Sequence, residues 1–330
     1  MKIWYDACTG KHIRYGTAIA QRMRKRGHEV VFTTREHPDT VRLAQHLGED
    51  PIVVGKYCPQ SLFSRLEESA ERVLQFSKMF KDDTPDVAIS HQSVELCRTA
   101  FGLGIPIILT ADTPHATAVN RLTIPFASTL VVSSAIPKRF LRNHCAKNII
   151  QFDGVDEVAW IKGFKPSSPA GLEKPLIVVR EMEHKAAYAS GGSDLTVNIA
   201  EKLGKLGNVH FIRRYNQNGK KFGAKEGFVD SASLVAHADL VVSAGGTLAR
   251  EAALQGVPSI VFSDLGRTYV NLYLAEQGFP LFFAKPRRLV GAAKKYMGKR
   301  FDAEAKLALL ENPVDKIEEV VTEAESAALH

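Results

Sequence analysis

Residues 238–262 read ADLVVSAGGTLAREAALQGVPSIVF, and the order of side-chain types along them decides the fold. Apolar residues over 239–243 predict a buried strand, Gly245 and Gly246 a tight turn, Thr247 the start of a helix, and 258–262 a second apolar strand. The glycines admit two readings. They remove the side chains that would keep a ligand from the backbone, at a helix start whose unpaired amides carry roughly half a positive charge, which suits a phosphate. Glu251, one turn on, is then placed to accept hydrogen bonds from a ribose diol. In the other reading the glycines only permit a sharp connection and Glu251 is a charge favoured by the helix dipole.

The same rhythm extends in both directions from this stretch. After it come a strand at 280–283 and then helix, broken at Asn312 and Pro313, ending in an amphipathic helix over 313–328. Before it lie a strand at 176–180, a helix at 194–206, a strand at 209–214 and a short helix at 231–236. The segment GFKPSSPAGLEKP, 163–175, is rich in Pro, Gly and Ser and reads as a linker. Upstream, strand patterns at 2–7, 27–36, 52–54, 86–90, 105–110, 129–133 and 148–152 alternate with helical ones. The pattern predicts an open, mainly parallel α/β sheet in each half, with helices on both faces. The expected domains are 1–165 and 166–330, separated by a cleft, with the last helix a candidate to pack back on the first domain.

Bulk properties narrow the function classes. A chain of 330 residues exceeds the usual single domain, and 45% hydrophobic with 24% charged residues is ordinary for a globular protein. The formal charge of +7 favours anionic ligands, but Lys and Arg are spread in small clusters with no RNA-binding aromatic motif, so no nucleic-acid partner is expected. Cys8, Cys58, Cys97 and Cys145 form no Cys-x-x-Cys pair, so neither zinc nor a disulfide framework is indicated. No run of about twenty apolar residues and no leader pattern is found, which points to the cytoplasm and leaves peripheral membrane contact open. No Asp-x-Asp or His-x-His pair suggests a metal.

In open sheets ligands sit beyond the carboxyl ends of the strands. After the first strand stand Asp6, Thr9, Gly10 and His12, and after the strand ending at Ser90 stands His91. Asp112, Thr113 and His115 follow Thr110 and lead to Asn120 and Arg121. Asp112 and His115 can form an acid/base pair; alternatively Asp112 and Thr113 cap a helix beginning near Pro114. In the second half Arg180, with Glu181, His184 and Tyr188 beyond it, and then Arg213 and Arg214 follow strands. These arginines can clamp a diphosphate or simply end a strand as surface charges.

Three segments carry a resemblance. ACTGKHIRYGTAIAQRMRKRGHEVVF, 7–32, resembles the opening of the peptidoglycan enzymes that transfer N-acetylglucosamine to a lipid-linked acceptor. SAGGTLAREAALQGVPSIVF, 243–262, resembles the donor-nucleotide motif of those enzymes and of the UDP-N-acetylglucosamine 2-epimerases, both of the GT-B superfamily. With TADTPHATAVNRLTIPFA, 110–127, the chain is similar throughout to a family of uncharacterised, largely archaeal proteins of that superfamily. It departs by having one glycine, Gly10, where the peptidoglycan enzymes have several, and by carrying Gly191 and Gly192 late after Arg180.

The resemblance implies two Rossmann-like domains whose parallel sheets face across a cleft. It implies a nucleotide-sugar substrate, UDP-linked, held mainly by the second domain, where Gly245, Gly246 and Thr247 match the donor turn and Glu251 the acid that can hold the ribose; Arg180 or Arg214, from the strand ends, would neutralise the diphosphate. An acceptor, lipid-linked or anionic, would lie on the first domain near Asp6, Thr9, Gly10, His91 and Asn120. His12, or Asp112 with His115, would be the base of a metal-independent glycosyl transfer without a cofactor. An epimerase or hydrolase on the same scaffold, or a non-catalytic nucleotide-sugar-binding protein, are the alternatives.

Overall fold

Runs of β-branched and aromatic residues form strands, and the central ones, such as Val87–His91 and Leu240–Ser243, are buried throughout, as a parallel sheet covered on both faces requires. The computed structural model describes residues 1–37, 40–168, 171–182, 193–213 and 230–328. It divides into two units, Met1–Trp160 with Glu311–His330, and Ile161–Leu310.

The first unit runs β1 (Lys2–Ala7), α1 (Gly10–Lys25), β2 (Glu29–Glu36), α2 (Val41–His46), β3 (Ile52–Lys56), α3 (Leu62–Met79), β4 (Val87–His91), α4 (Val94–Gly102), β5 (Ile107–Thr110), α5 (Thr117–Thr123), β6 (Thr129–Ser133), α6 (Lys138–Asn143), β7 (Ile149–Phe152) and α7 (Val158–Ile161). Its seven strands are all parallel, in the order β3-β2-β1-β4-β5-β6-β7. Strand periodicity sends alternate residues of β1 to opposite faces. Ile3, Tyr5 and Ala7 pack with Ile13, Ile19 and Met23 of α1. Trp4, on the other face, meets Phe76 and Phe80 at 4.8 and 4.6 Å between ring centroids, and its indole N–H donates to Thr33 Oγ1 at 2.9 Å.

The second unit runs β8 (Leu176–Arg180), α8 (Ser193–Leu203), β9 (Asn208–Ile212), α9 (Ser231–His237), β10 (Leu240–Ser243), α10 (Thr247–Leu254), β11 (Ser259–Val261), α11 (Tyr269–Glu276), β12 (Leu281–Phe283), α12 (Leu289–Tyr296) and α13 (Glu304–Leu309). The chain then returns to the first unit as α14 (Pro313–Ala328). The second sheet is also parallel, in the order β12-β11-β10-β8-β9. One face packs on α8 and α12 through Ile199, Leu203, Leu289 and Ala293, and the other on α9 and α10 through Leu234, Val235, Leu248 and Ala252.

The sequence sets the domain boundary at 165/166, whereas the units divide at 160/161 and again at 310/311. Val314, Ile317, Val320 and Val321 recur at helical spacing and are buried in the core of the first unit, which places α14 there. Among the described residues no helix is long and apolar enough to cross a membrane. Strand order reverses between β1 and β4 in the first sheet and between β8 and β10 in the second. At each reversal the neighbouring connections leave on opposite faces and open a crevice beyond the strand ends.

Gly16 sets how closely α1 lies on β1. A Cβ there would stand 2.2 Å from Tyr5 Cε1, and the Tyr5 hydroxyl donates to the carbonyl of His12 at 2.9 Å. Gly16→Ala is therefore expected to cost about 1–3 kcal/mol by overpacking, seen as a lower urea midpoint. Gly291→Ala in α12, where nothing lies within 4 Å, should instead gain about 0.5–1 kcal/mol.

Candidate functional site

The strand reversal of the first unit gathers the residues that follow β1, β4, β5 and β7. Lys11, in the first turn of α1, places its ammonium against Asp112 and at 2.8 Å from Asp156 and 3.8 Å from Glu157. His91 closes the cluster, with Nε2 3.3 Å from Asp112 Oδ1 and Nδ1 2.8 Å from the Thr110 hydroxyl. All these side chains are buried or nearly so. One ammonium thus stands among three carboxylates in a medium that solvates charge poorly. Burial raises the Asp156 carboxyl above its ordinary range, Lys11 and His91 oppose the rise, and Asp112 and Glu157 add to it.

His12 lies beside this cluster, its ring 4.9 Å from that of His91. Burial lowers its pKa well below the usual histidine value, helped by His91, Lys11 and Arg35 and opposed by Asp112, so the ring is neutral near pH 7. Its Nδ1 accepts the backbone N–H of Cys8 at 3.2 Å, which leaves the proton on Nε2. The sequence suggests a base at His12; in this geometry it presents an N–H to its surroundings. His115 is half-buried and its pKa is lowered by burial, with Asp112 opposing.

Asp112 is not a helix cap. Helix α5 starts at Thr117 after Ala116 with no side-chain cap, and Asp112 accepts from Thr113 Oγ1 at 2.8 Å as well as from Lys11. Two residues expected on the acceptor side have structural partners instead. Asp6 is fully buried, accepting from Arg72 at 2.9 Å, from Thr33 at 2.8 Å and from Ser93. Its side chain leaves β1 toward α3, one residue before the strand ends. Asn120, also buried, accepts from Gln92 at 2.6 Å and donates to the carbonyls of Thr113 and Pro114, which fixes the loop before α5. Thr9 is the residue before α1 and makes no side-chain cap; Gly10 is the first residue of the helix.

The strand-end rule applied to β7 would have pointed to Asp156 and Glu157, and Lys11 adjoins His12. Arg72 carries a different signal, a charge four residues before Phe76 on the buried stripe of α3. It pairs with Glu95 at 3.0 Å and donates to the Val54 carbonyl at 2.8 Å. Two donor sets could reach a single ion, His91 with Asp112 and Asp156, and Asp6 with Cys8 and Glu95, the atoms of each within 4.8 Å of one another. Each is served by a cation of the chain, Lys11 in the first and Arg72 in the second. Burial pushes the Cys8 thiol up to about 11, so it stays protonated, and all four cysteines are free.

In the second unit the glycine turn lies beyond β10, at the strand reversal. Gly245 has φ of +136° and packs on Gly266, whose Cα would be 2.5 Å from an added Cβ. Gly246 has φ of +88° and nothing within 4 Å of the corresponding position. Gly245 thus serves the turn itself, whereas Gly246 precedes an α10 start with open space, no side-chain cap and no acid in its first turn. Thr247 opens the helix half-buried, and Glu251 is buried, accepting from Ser231 Oγ at 3.3 Å. Arg180 ends β8, the neighbour of β10. Arg214 lies outside the described residues, as do His184, Tyr188, Gly191 and Gly192.

The profile of the family described as "Protein of unknown function (DUF354)" matches residues 1–326. The chain belongs to this family. It is similar to the uncharacterized protein MJ0665 of Methanocaldococcus jannaschii, with 29% identity over 96% of both chains. It is also 27% identical, over 77% of each chain, to the UDP-N-acetylglucosamine–N-acetylmuramyl-(pentapeptide) pyrophosphoryl-undecaprenol N-acetylglucosamine transferase of Thermus thermophilus. Among solved structures, UDP-GlcNAc 2-epimerase of M. jannaschii, in complex with UDP-GlcNAc and UDP, superposes with a TM-score of 0.70 at 14% identity, covering 98% of this chain and 100% of that one. At that identity the likeness is one of fold, and this family member has the GT-B type of architecture, two Rossmann-like α/β units.

The charge imbalance around Lys11 makes a measurable prediction. A raised folded-state pKa at Asp156 means the native state binds the extra proton, so its contribution to stability falls as pH rises above the unfolded carboxylate value of about 3.9. Lys11→Met removes the opposing cation and should cost about 3 kcal/mol at neutral pH. Part of that loss should return on acidification toward about pH 5, as urea titrations at several pH values would show. A loss independent of pH would remove Lys11 from the role of counter-ion.

Proposed function

We propose that the protein is a metal-independent glycosyltransferase that moves a sugar from a nucleotide-sugar donor, UDP-linked, to an acceptor hydroxyl. The observation that carries this reading is the turn beyond β10, where Gly246 leaves open space at an uncapped helix start beside the strand reversal. Such a start supplies aimed N–H donors to a diphosphate. The 27% identity to the Thermus transferase over 77% of each chain supports the same assignment.

In the proposed reaction the acceptor oxygen attacks the anomeric carbon, the bond from that carbon to the diphosphate oxygen breaks, and the diphosphate leaves with the electron pair. The amides at Thr247, together with Arg180 and Arg214, stabilise the leaving anion, and Glu251 accepts hydrogen bonds from the ribose. His115, neutral at working pH, takes the acceptor proton, with Asp112 favouring the cation that forms. His12 donates its Nε2–H to a substrate oxygen. The superposition on the epimerase favours a second reading, a UDP-sugar epimerase or hydrolase on this scaffold.

A panel of nucleotide sugars separates the readings. Free nucleotide that appears only with an acceptor supports transfer, a changed sugar without acceptor supports epimerisation, and binding without turnover leaves a nucleotide-sugar-binding protein. Glu251→Ala should weaken nucleotide binding about tenfold; unaltered binding would overturn the donor assignment. His12→Gln, which keeps an N–H near the Nε2 position, should retain turnover that His12→Ala loses. Equal loss in both variants would return His12 to the role of base.

A further inference from the structure

The second unit carries a basic concavity beside the glycine turn, since Arg267 in its lining follows Gly266, on which Gly245 packs. It lies at the carboxyl ends of β11 and β12, has a volume of about 630 Å³, and is lined by Arg267, Lys285, Arg287, Arg288 and Lys295. Part of its wall is α12, which covers the sheet face opposite to that covered by α9 and α10. The glycine turn begins α10, so the two places are served by helices on different faces.

Asp264 is the only carboxylate in the lining, against five cations, and among the described residues none of the five stands within ion-pairing distance of a carboxylate. Two are held in place by rings. The Arg267 guanidinium lies 4.6 Å from the centroid of Phe283, and the Lys295 ammonium 5.0 Å from that of Tyr296, itself stacked on Phe282 at 3.7 Å. Cations gathered around a low-dielectric wall within a Debye length of about 8–10 Å repel one another until an anion enters. Scattered surface lysines that only keep a protein soluble have no need of a shared concavity or of aromatic supports. A single carboxylate would leave most of these charges unmatched, whereas phosphoryl oxygens suit both guanidinium forks and ammonium groups.

We propose that this concavity is a second anion site, which binds phosphoryl groups with a combined negative charge of at least two, carried by one phosphate ester or by neighbouring anionic phospholipid headgroups at a membrane surface. The site does not depend on the nucleotide-sugar reading. The test titrates the full chain with inorganic pyrophosphate by calorimetry, with and without saturating UDP, and sediments it with phosphatidylglycerol or phosphatidylcholine vesicles. Binding of pyrophosphate that persists with UDP present, or binding of phosphatidylglycerol but not phosphatidylcholine vesicles, is expected, and the two arms tell a free phosphate ester from a lipid. Arg287→Glu with Arg288→Glu, both at exposed positions, should weaken that binding about tenfold or more and leave the thermal midpoint and any UDP binding unchanged. Absence of binding in both arms, displacement of pyrophosphate by UDP, or full binding by the charge-reversed chain would overturn the proposal. Failure to bind UDP would count against the donor assignment and leave the pyrophosphate and vesicle arms intact.

Discussion

A single ammonium group, that of Lys11, holds the first turn of α1 to the ends of strands far away in sequence. Asp112 follows β5 and Asp156 and Glu157 follow β7, so the ion pairs close loops of more than one hundred residues. Removing either sign from such a buried group leaves an uncompensated charge, which is why the arrangement fixes geometry more than it adds stability. What it fixes is the position of His12 beside His91, where the backbone amide of Cys8 then selects the tautomer. The chemistry available at this strand reversal therefore depends on a residue with no part in the reaction proposed above.

A second buried cation works the same way one layer below. Arg72 reaches Asp6 on β1, Glu95 on α4 and the Val54 carbonyl on β3, so one guanidinium ties three elements to α3. The approach is tight enough that Gly55 has no room for a side chain, since a Cβ there would lie 2.4 Å from Arg72 Cγ. Apolar packing alone would let α3 slide on the sheet, whereas the planar fork, with its directional donors, sets one register.

The strands and most helices could be read from the sequence because apolar runs and glycine punctuation are local signals. Strand order could not, since it arises from contacts between segments far apart. The glycine turn shows the division clearly. Its two glycines look equivalent in the sequence and both have a positive φ, yet only Gly245 is also closed in by a neighbour twenty-one positions on, Gly266. Asp112 was open between a cap and a site because Asp serves both, and only its partners decide. Lys11, Arg72 and Asp156 carry no local signal of what they pair with, because each owes its meaning to a distant partner. Asp6 and Asn120 are polar residues near a strand end and in a short helix, positions that support structure as readily as ligands.

The path of the chain adds a constraint of a different kind. The second unit is inserted within the first, and Val314, Ile317, Val320 and Val321 complete a core begun at Ile3. On the ribosome the first unit cannot close that core until nearly the whole chain has emerged, although its strands are made first. The inserted unit is free to fold earlier, so the order of synthesis and the order of completion run opposite ways. A stop codon that removes only α14 would strike the unit made first, exposing the apolar face that this helix covers.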